Sequence, residues 1–118
     1  VIFVISAGNL RENPRPEWPE TEAGALAAIA AGRNDGIEMP AESARNIAVG
    51  ALNPPDLSSC IAYAPACYTR RGPGLRAGAK PDVACIGGGG TLCSVLDEGL
   101  FSIDPTGATV AGCGTSCG

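Results

Sequence analysis

Histidine is absent from this chain of 118 residues, and basic residues are few, 8 Lys and Arg against 12 Asp and Glu. Without histidine the segment holds no imidazole to serve as a general base or a metal ligand. The scattered cations and a net charge of −4 argue against nucleic acid as a partner, because phosphate binding needs a clustered basic face. Long apolar runs are also missing. The longest at the amino terminus covers about six residues, far short of the roughly 20 that span a bilayer, and it lacks the basic flank of a signal peptide. No membrane segment is expected in this chain. No Gly-x-x-x-x-Gly-Lys-Ser/Thr or Gly-x-Gly-x-x-Gly pattern accompanies the glycines at 87–90, so a phosphate loop is excluded and these glycines read as a mobile connection.

What is present fits a buried α/β core. Hydrophobic residues make up 45% of the chain, and several short apolar runs are bounded by turn residues, as in parallel strands covered on both faces. Residues 1–6 read as a first strand, 46–52 as a second, Cys60–Tyr63 as the start of another, and 83–86, 100–103 and 109–112 as further strands. Between 10 and 20 the chain is polar and proline-rich, a surface loop. Thr21 then offers an N-cap to a helix over 21–31, stopped by Gly32 and Asn34-Asp35-Gly36. Neither end of the chain has the polar, loop-like look of a domain boundary.

Six cysteines stand at 60, 67, 85, 93, 113 and 117. None forms a Cys-x-x-Cys pair and no histidine joins them, so no metal site is expected. Disulfides, with Cys60–Cys67 the easiest local pair, and buried thiols in a reduced protein are equally compatible with the spacing. Asp97, Glu98 and Asp104 do not form a recognisable calcium loop and read as solvated carboxylates. No cofactor is implied.

Two phrases carry chemistry. Val1-Ile2-Phe3-Val4-Ile5-Ser6-Ala7-Gly8-Asn9 is a strand that ends by presenting a side-chain amide. Gly112-Cys113-Gly114-Thr115-Ser116 is a tight turn that places a hydroxyl at a helix start. Taken singly, each has a bland reading, a turn asparagine and an N-cap serine. Between them lie Pro40-Ala41-Glu42-Ser43-Ala44-Arg45-Asn46-Ile47-Ala48-Val49-Gly50-Ala51, and Arg71-Gly72-Pro73-Gly74 followed by Lys80-Pro81-Asp82-Val83.

In this order the four phrases resemble the carboxyl-terminal half of the subtilisin-like serine proteases, over nearly the whole chain. The resemblance implies a three-layer α/β/α fold with a mainly parallel sheet, present here only in part, residues 1–118 forming a partial peptidase domain cut just after the nucleophile. It implies Ser116 as nucleophile and Asn9 as the oxyanion-hole amide, both at carboxyl-end loops of strands and facing one cleft. Ala7 and Gly8 would edge the substrate pocket, and Met39-Pro40 would lie at its floor, although Pro40 alone could simply end a loop. In the family the catalytic Asp and His precede the Asn phrase, so both are expected upstream of Val1. Asp82, which follows that phrase, is excluded as the catalytic acid and reads as structural.

The implied activity is endoproteolysis of a peptide or protein substrate through an acyl-enzyme. The alternative is a non-catalytic relative that keeps the fold and binds peptide segments. An upstream Asp and His would separate the two. A nucleotide-binding α/β domain is disfavoured by the missing phosphate loop.

Overall fold

The computed structural model describes residues 1–10, 21, 23, 24, 27, 36–55, 61–74, 78–88 and 99–117. Three strands, β1 (Val4–Ser6), β2 (Ile47–Leu52) and β3 (Val83–Ile86), form a parallel sheet in the order β1-β2-β3. Val4 pairs with Ile47 and Ser6 with Val49, while Val49 also pairs with Val83 and Leu52 with Ile86. Two further strands, β4 (Leu100–Ile103) and β5 (Thr109–Gly112), make an antiparallel hairpin.

The central strand has the apolar run Ile47-Ala48-Val49 and is buried through Ala48–Ala51. Side chains alternate across a strand, so Ala48 and Ala51, three residues apart, point to opposite faces. Each anchors its own cluster. Ala48 packs with Ala7, Ile37, Ala41 and Ile5, and Ala51 with Ala66, Cys67, Tyr68 and Cys113. Both faces of β2 are therefore covered, as a parallel strand requires. The same does not hold for β3, all four residues of which are exposed, nor for Val4 of β1. Each of those strands has a single neighbour in the sheet.

Lys80-Pro81-Asp82 acts as a clamp on β2. The Lys80 ammonium donates to the Asn46 carbonyl (2.6 Å) and to the Asp82 carboxylate (2.5 Å). That carboxylate also accepts the Ala48 N–H (2.7 Å). The hydrogen bond from Lys80, aided by the Ala48 N–H, holds the Asp82 carboxyl below its ordinary value. The residue has a structural task here, as the sequence suggests.

The structure corrects two expectations, on Cys60–Tyr63 and on the glycines at 87–90, and decides between two readings of Cys67. Ile61–Tyr63 forms a turn, not the start of a strand, and Tyr63 stands in the left-handed region at φ 59°. The Asn53 amide donates to the Ile61 carbonyl (3.0 Å) and closes that loop. Pairing with β2 begins later, where Pro65 bridges Leu52 and the Ala66 N–H reaches the Ala51 carbonyl. Cys67 is a buried thiol, so the local Cys60–Cys67 disulfide is not formed, whereas Cys113 is disulfide-bonded. Gly87 and Gly88 are buried and hydrogen-bonded, not a mobile connection; Gly89 and Gly90 lie outside the described residues.

Of the expected helix over 21–31, Ala23, Gly24 and Ala27 are helical, and the Gly24 N–H donates to Thr21 Oγ1 (3.1 Å), the bond expected of an N-cap. The rest of that helix, together with Asp97 and Glu98, lies outside the described residues. Among those described, no three metal-ligating side chains gather, and no helix is long and apolar enough to cross a membrane.

Candidate active site

The chain leaving β1 must turn sharply, and its sequence permits this. Ala7 is fully buried, its N–H on the Val49 carbonyl (2.8 Å) and its carbonyl on the Glu38 N–H (3.0 Å). Gly8 then takes φ 98°, a region costly for any side chain. Space enforces the same choice, since a Cβ there would lie 2.6 Å from Glu38 Oε2 and 2.9 Å from Arg70 Cδ. The next residue, Asn9, is half-buried, bridges Thr69, and accepts the Arg70 Nε–H on its backbone carbonyl (3.1 Å).

At the far end of the sequence, the turn after β5 runs through Gly114–Cys117 and is closed by the Cys117 N–H on the Gly114 carbonyl (3.0 Å). Gly87 fixes where this turn begins. Its carbonyl accepts both the Gly114 N–H (2.9 Å) and the hydroxyl of the fully buried Tyr68 (2.6 Å). The Tyr68 hydroxyl, with one proton to donate, also stands 2.7 Å from the Gly88 carbonyl and so holds both glycines.

Thr115 joins the two ends. It is 2% exposed. Its hydroxyl accepts the Gly8 N–H (3.0 Å) and donates to Asn9 Oδ1 (3.1 Å), and its own N–H donates to the same oxygen (3.0 Å). Two donors on one end of an amide identify that end as oxygen. The other end, Nδ2, is thereby aimed at Gly114. The point at which a Cβ on Gly114 would stand lies 3.1 Å from Asn9 Nδ2 and 3.3 Å from Ser116 Oγ. The amide nitrogen and the serine hydroxyl are thus less than twice that distance apart, across a residue with no side chain to separate them.

Between them opens a cavity of about 230 Å³, lined by Ser6, Gly8, Asn9, Glu38, Thr115 and Ser116. Three residues named from the sequence, Gly8, Asn9 and Ser116, meet on it. Ala7 lies buried beneath, and its role is to fix the strand end. Met39 is exposed, and the Met39–Pro40 bond is cis. Pro40 accepts the Asn46 amide on its carbonyl (2.9 Å). Met39 and Pro40 are next to Glu38 in sequence, but it is Glu38 that lines the cavity. Sequence reasoning missed Glu38 and the cross-linking role of Thr115, both of which depend on contacts far along the chain. For Glu38 a signal existed, since it immediately precedes the Met39-Pro40 pair.

A family model described as "Subtilase family" matches residues 1–116. The chain belongs to the subtilase family. Subtilases are serine peptidases, and the matched span runs from the first strand to the serine of the turn after β5. No curated protein and no solved structure matches this chain. Within this subtilase chain the amide and the hydroxyl are brought to one cleft by two loops that lie more than a hundred residues apart in sequence.

Proposed function

We propose that residues 1–118 are the nucleophile-bearing part of a subtilisin-like endopeptidase domain with a three-layer α/β/α architecture. In this reading Ser116 Oγ attacks the carbonyl carbon of a peptide bond and Asn9 Nδ2 donates to the oxygen that becomes negatively charged. The observation that supports it most is that Asn9 and Ser116 line one cavity on either side of Gly114, which has no side chain to separate them, with Thr115 orienting the amide.

A serine hydroxyl is a weak nucleophile until a base takes its proton. No histidine is present in this sequence, so this reading requires an imidazole, and an Asp to orient it, from outside these 118 residues. The imidazole takes the Oγ proton as the C–O bond forms and returns it to the leaving amine as the C–N bond breaks. Water then hydrolyses the acyl-enzyme by the reverse sequence of transfers. Asn9 contributes because its amide is fixed before the charge appears, so that no reorganisation is needed in the transition state. Gly8 edges the pocket that holds the peptide, Ala7 fixes the strand end beneath it, and Met39 and Pro40 follow Glu38, the residue of that segment that reaches the cavity.

A fluorophosphonate probe, which reports an activated serine, tests the assignment. Residues 1–118 alone should remain unlabelled, and a longer chain carrying the Asp and His should label at Ser116 and lose the label in Ser116→Ala. A longer chain with both residues that binds peptide yet leaves Ser116 unlabelled would contradict catalysis and favour the peptide-binding relative.

A further inference from the structure

We infer that Glu38 makes the cavity beside Ser116 a receptor for a cationic side chain, so that the peptide held there presents arginine or lysine to the pocket. This rests on the peptidase reading and names its substrate class. The cavity, about 230 Å³, is below the roughly 300–1,000 Å³ of sites that enclose drug-sized ligands. It suits a single side chain. Among the described residues its walls are Ser6, Gly8, Asn9, Thr115, Ser116 and Glu38, none of them aliphatic or aromatic. An apolar side chain would gain little from burial there. Among the described residues Glu38 is the one lining residue with a charge.

The position of that carboxylate is built by the fold. Glu38 is tied at both ends of its backbone, its N–H to the Ala7 carbonyl (3.0 Å) and its carbonyl to the Ala41 N–H (2.9 Å). Its Oε2 stands 2.6 Å from where a Gly8 Cβ would be, so the missing side chain of Gly8 is what allows the carboxylate to lie over the strand end next to Asn9. Arg70 crosses the same strand end, its Nε donating to the Asn9 carbonyl (3.1 Å) and its Nη1 to the Gly36 carbonyl (3.4 Å), and it does not line the cavity. A carboxylate has about four acceptor sites, enough to receive an incoming cation in addition to contacts within the chain. A guanidinium or ammonium entering the cavity would meet it with charge-assisted hydrogen bonds, and arginine adds a bidentate fit. A glutamate side chain would be repelled.

Binding can be read without hydrolysis. The 118-residue chain is titrated with N-acetyl-arginine amide and N-acetyl-leucine amide while the backbone amide resonances of Gly8, Asn9 and Ser116 are followed by NMR. The arginine amide should shift all three saturably and bind at least about tenfold tighter than the leucine amide, the scale of one charge-assisted contact. Glu38→Gln should remove that preference. Should this variant prove unfolded in its thermal scan, the unmodified chain still decides, because added salt must weaken the arginine amide and leave the leucine amide unchanged. Equal binding of the two amides, or an arginine preference that survives in Glu38→Gln or is indifferent to salt, would overturn the inference. An intact preference in a protein whose Ser116 never labels would instead leave the pocket chemistry standing and remove the peptidase reading.

Discussion

Around Asn9 the bonds that hold the chain join residues 61 to 107 positions apart, whereas at the tip of the β4–β5 hairpin they join residues two to four apart. Both regions are built from short strands and glycine-bearing turns. In the first, a buried threonine, a buried tyrosine and a run of backbone carbonyls fix the loop after β1 against the turn after β5. In the second, Asp104 closes the turn alone: its carboxylate accepts the Thr106 N–H (2.8 Å), the Thr106 hydroxyl (2.6 Å) and the Ala108 N–H (3.0 Å), with Gly107 at φ 86°. Phe101 and Ile103 of the hairpin remain exposed. Local bonding gives the hairpin its shape, and distant bonding gives the cleft its geometry. Only the second kind can place an amide beside a hydroxyl.

The largest effect expected from breaking this contrast is at Thr115. Thr115→Val keeps the volume but strips the Gly8 N–H of its acceptor and Asn9 Oδ1 of one donor in a buried place. Such a loss costs about 1–3 kcal/mol. Chemical denaturation should show it as a lower midpoint with an unchanged slope, and the Asn9 side-chain amide resonances should move in the same variant. An unchanged midpoint would mean that the two ends are not held together through this hydroxyl.

A smaller effect is expected at Asp104. Hydrogen bonds, first from the Thr106 hydroxyl and next from the Ala108 N–H, hold its carboxyl below the ordinary value of 3.8. A carboxyl depressed in the fold adds stability that is fully present above its unfolded value and is lost as pH falls through the folded one. Asp82, lowered by Lys80, acts in the same window below 3.8. Acid titration of stability should therefore decline below about pH 4, and Asp104→Ala should make that decline shallower while leaving the Asn9 resonances in place. Movement of those resonances would show that the hairpin and the cleft are coupled.

The cleft was partly legible in the sequence, and the reason is local. Asn9 and Ser116 each end a short phrase whose small residues dictate a turn, so their positions at loop ends follow from neighbours alone. The strands at 47–52, 83–86, 100–103 and 109–112 were likewise readable from apolar runs bounded by turn residues. Cys60–Tyr63 misled because an apolar stretch of that length suits a strand or a turn equally, and the Asn53 amide, bonded to the Ile61 carbonyl, decides for the turn. Thr115 and Tyr68 could not be assigned in advance, and only its place before Met39-Pro40 marked Glu38. What each does depends on a partner far along the chain: the amide of Asn9, the carbonyl of Gly87, and the strand end at Gly8.

The proposed role of Asn9, donation to the developing oxyanion, is tested most directly by steady-state kinetics. The measurement uses one peptide substrate and a longer chain that carries the Asp and His, with Ser116→Ala as the inactive reference. Asn9→Ala should lower kcat by a factor on the order of 100 to 1,000, about 2.7–4 kcal/mol, and leave KM nearly unchanged; this magnitude is the one known for the oxyanion-hole asparagine of subtilisin itself. A variant whose KM rises while kcat is preserved would make Asn9 a substrate-binding residue and contradict the assignment.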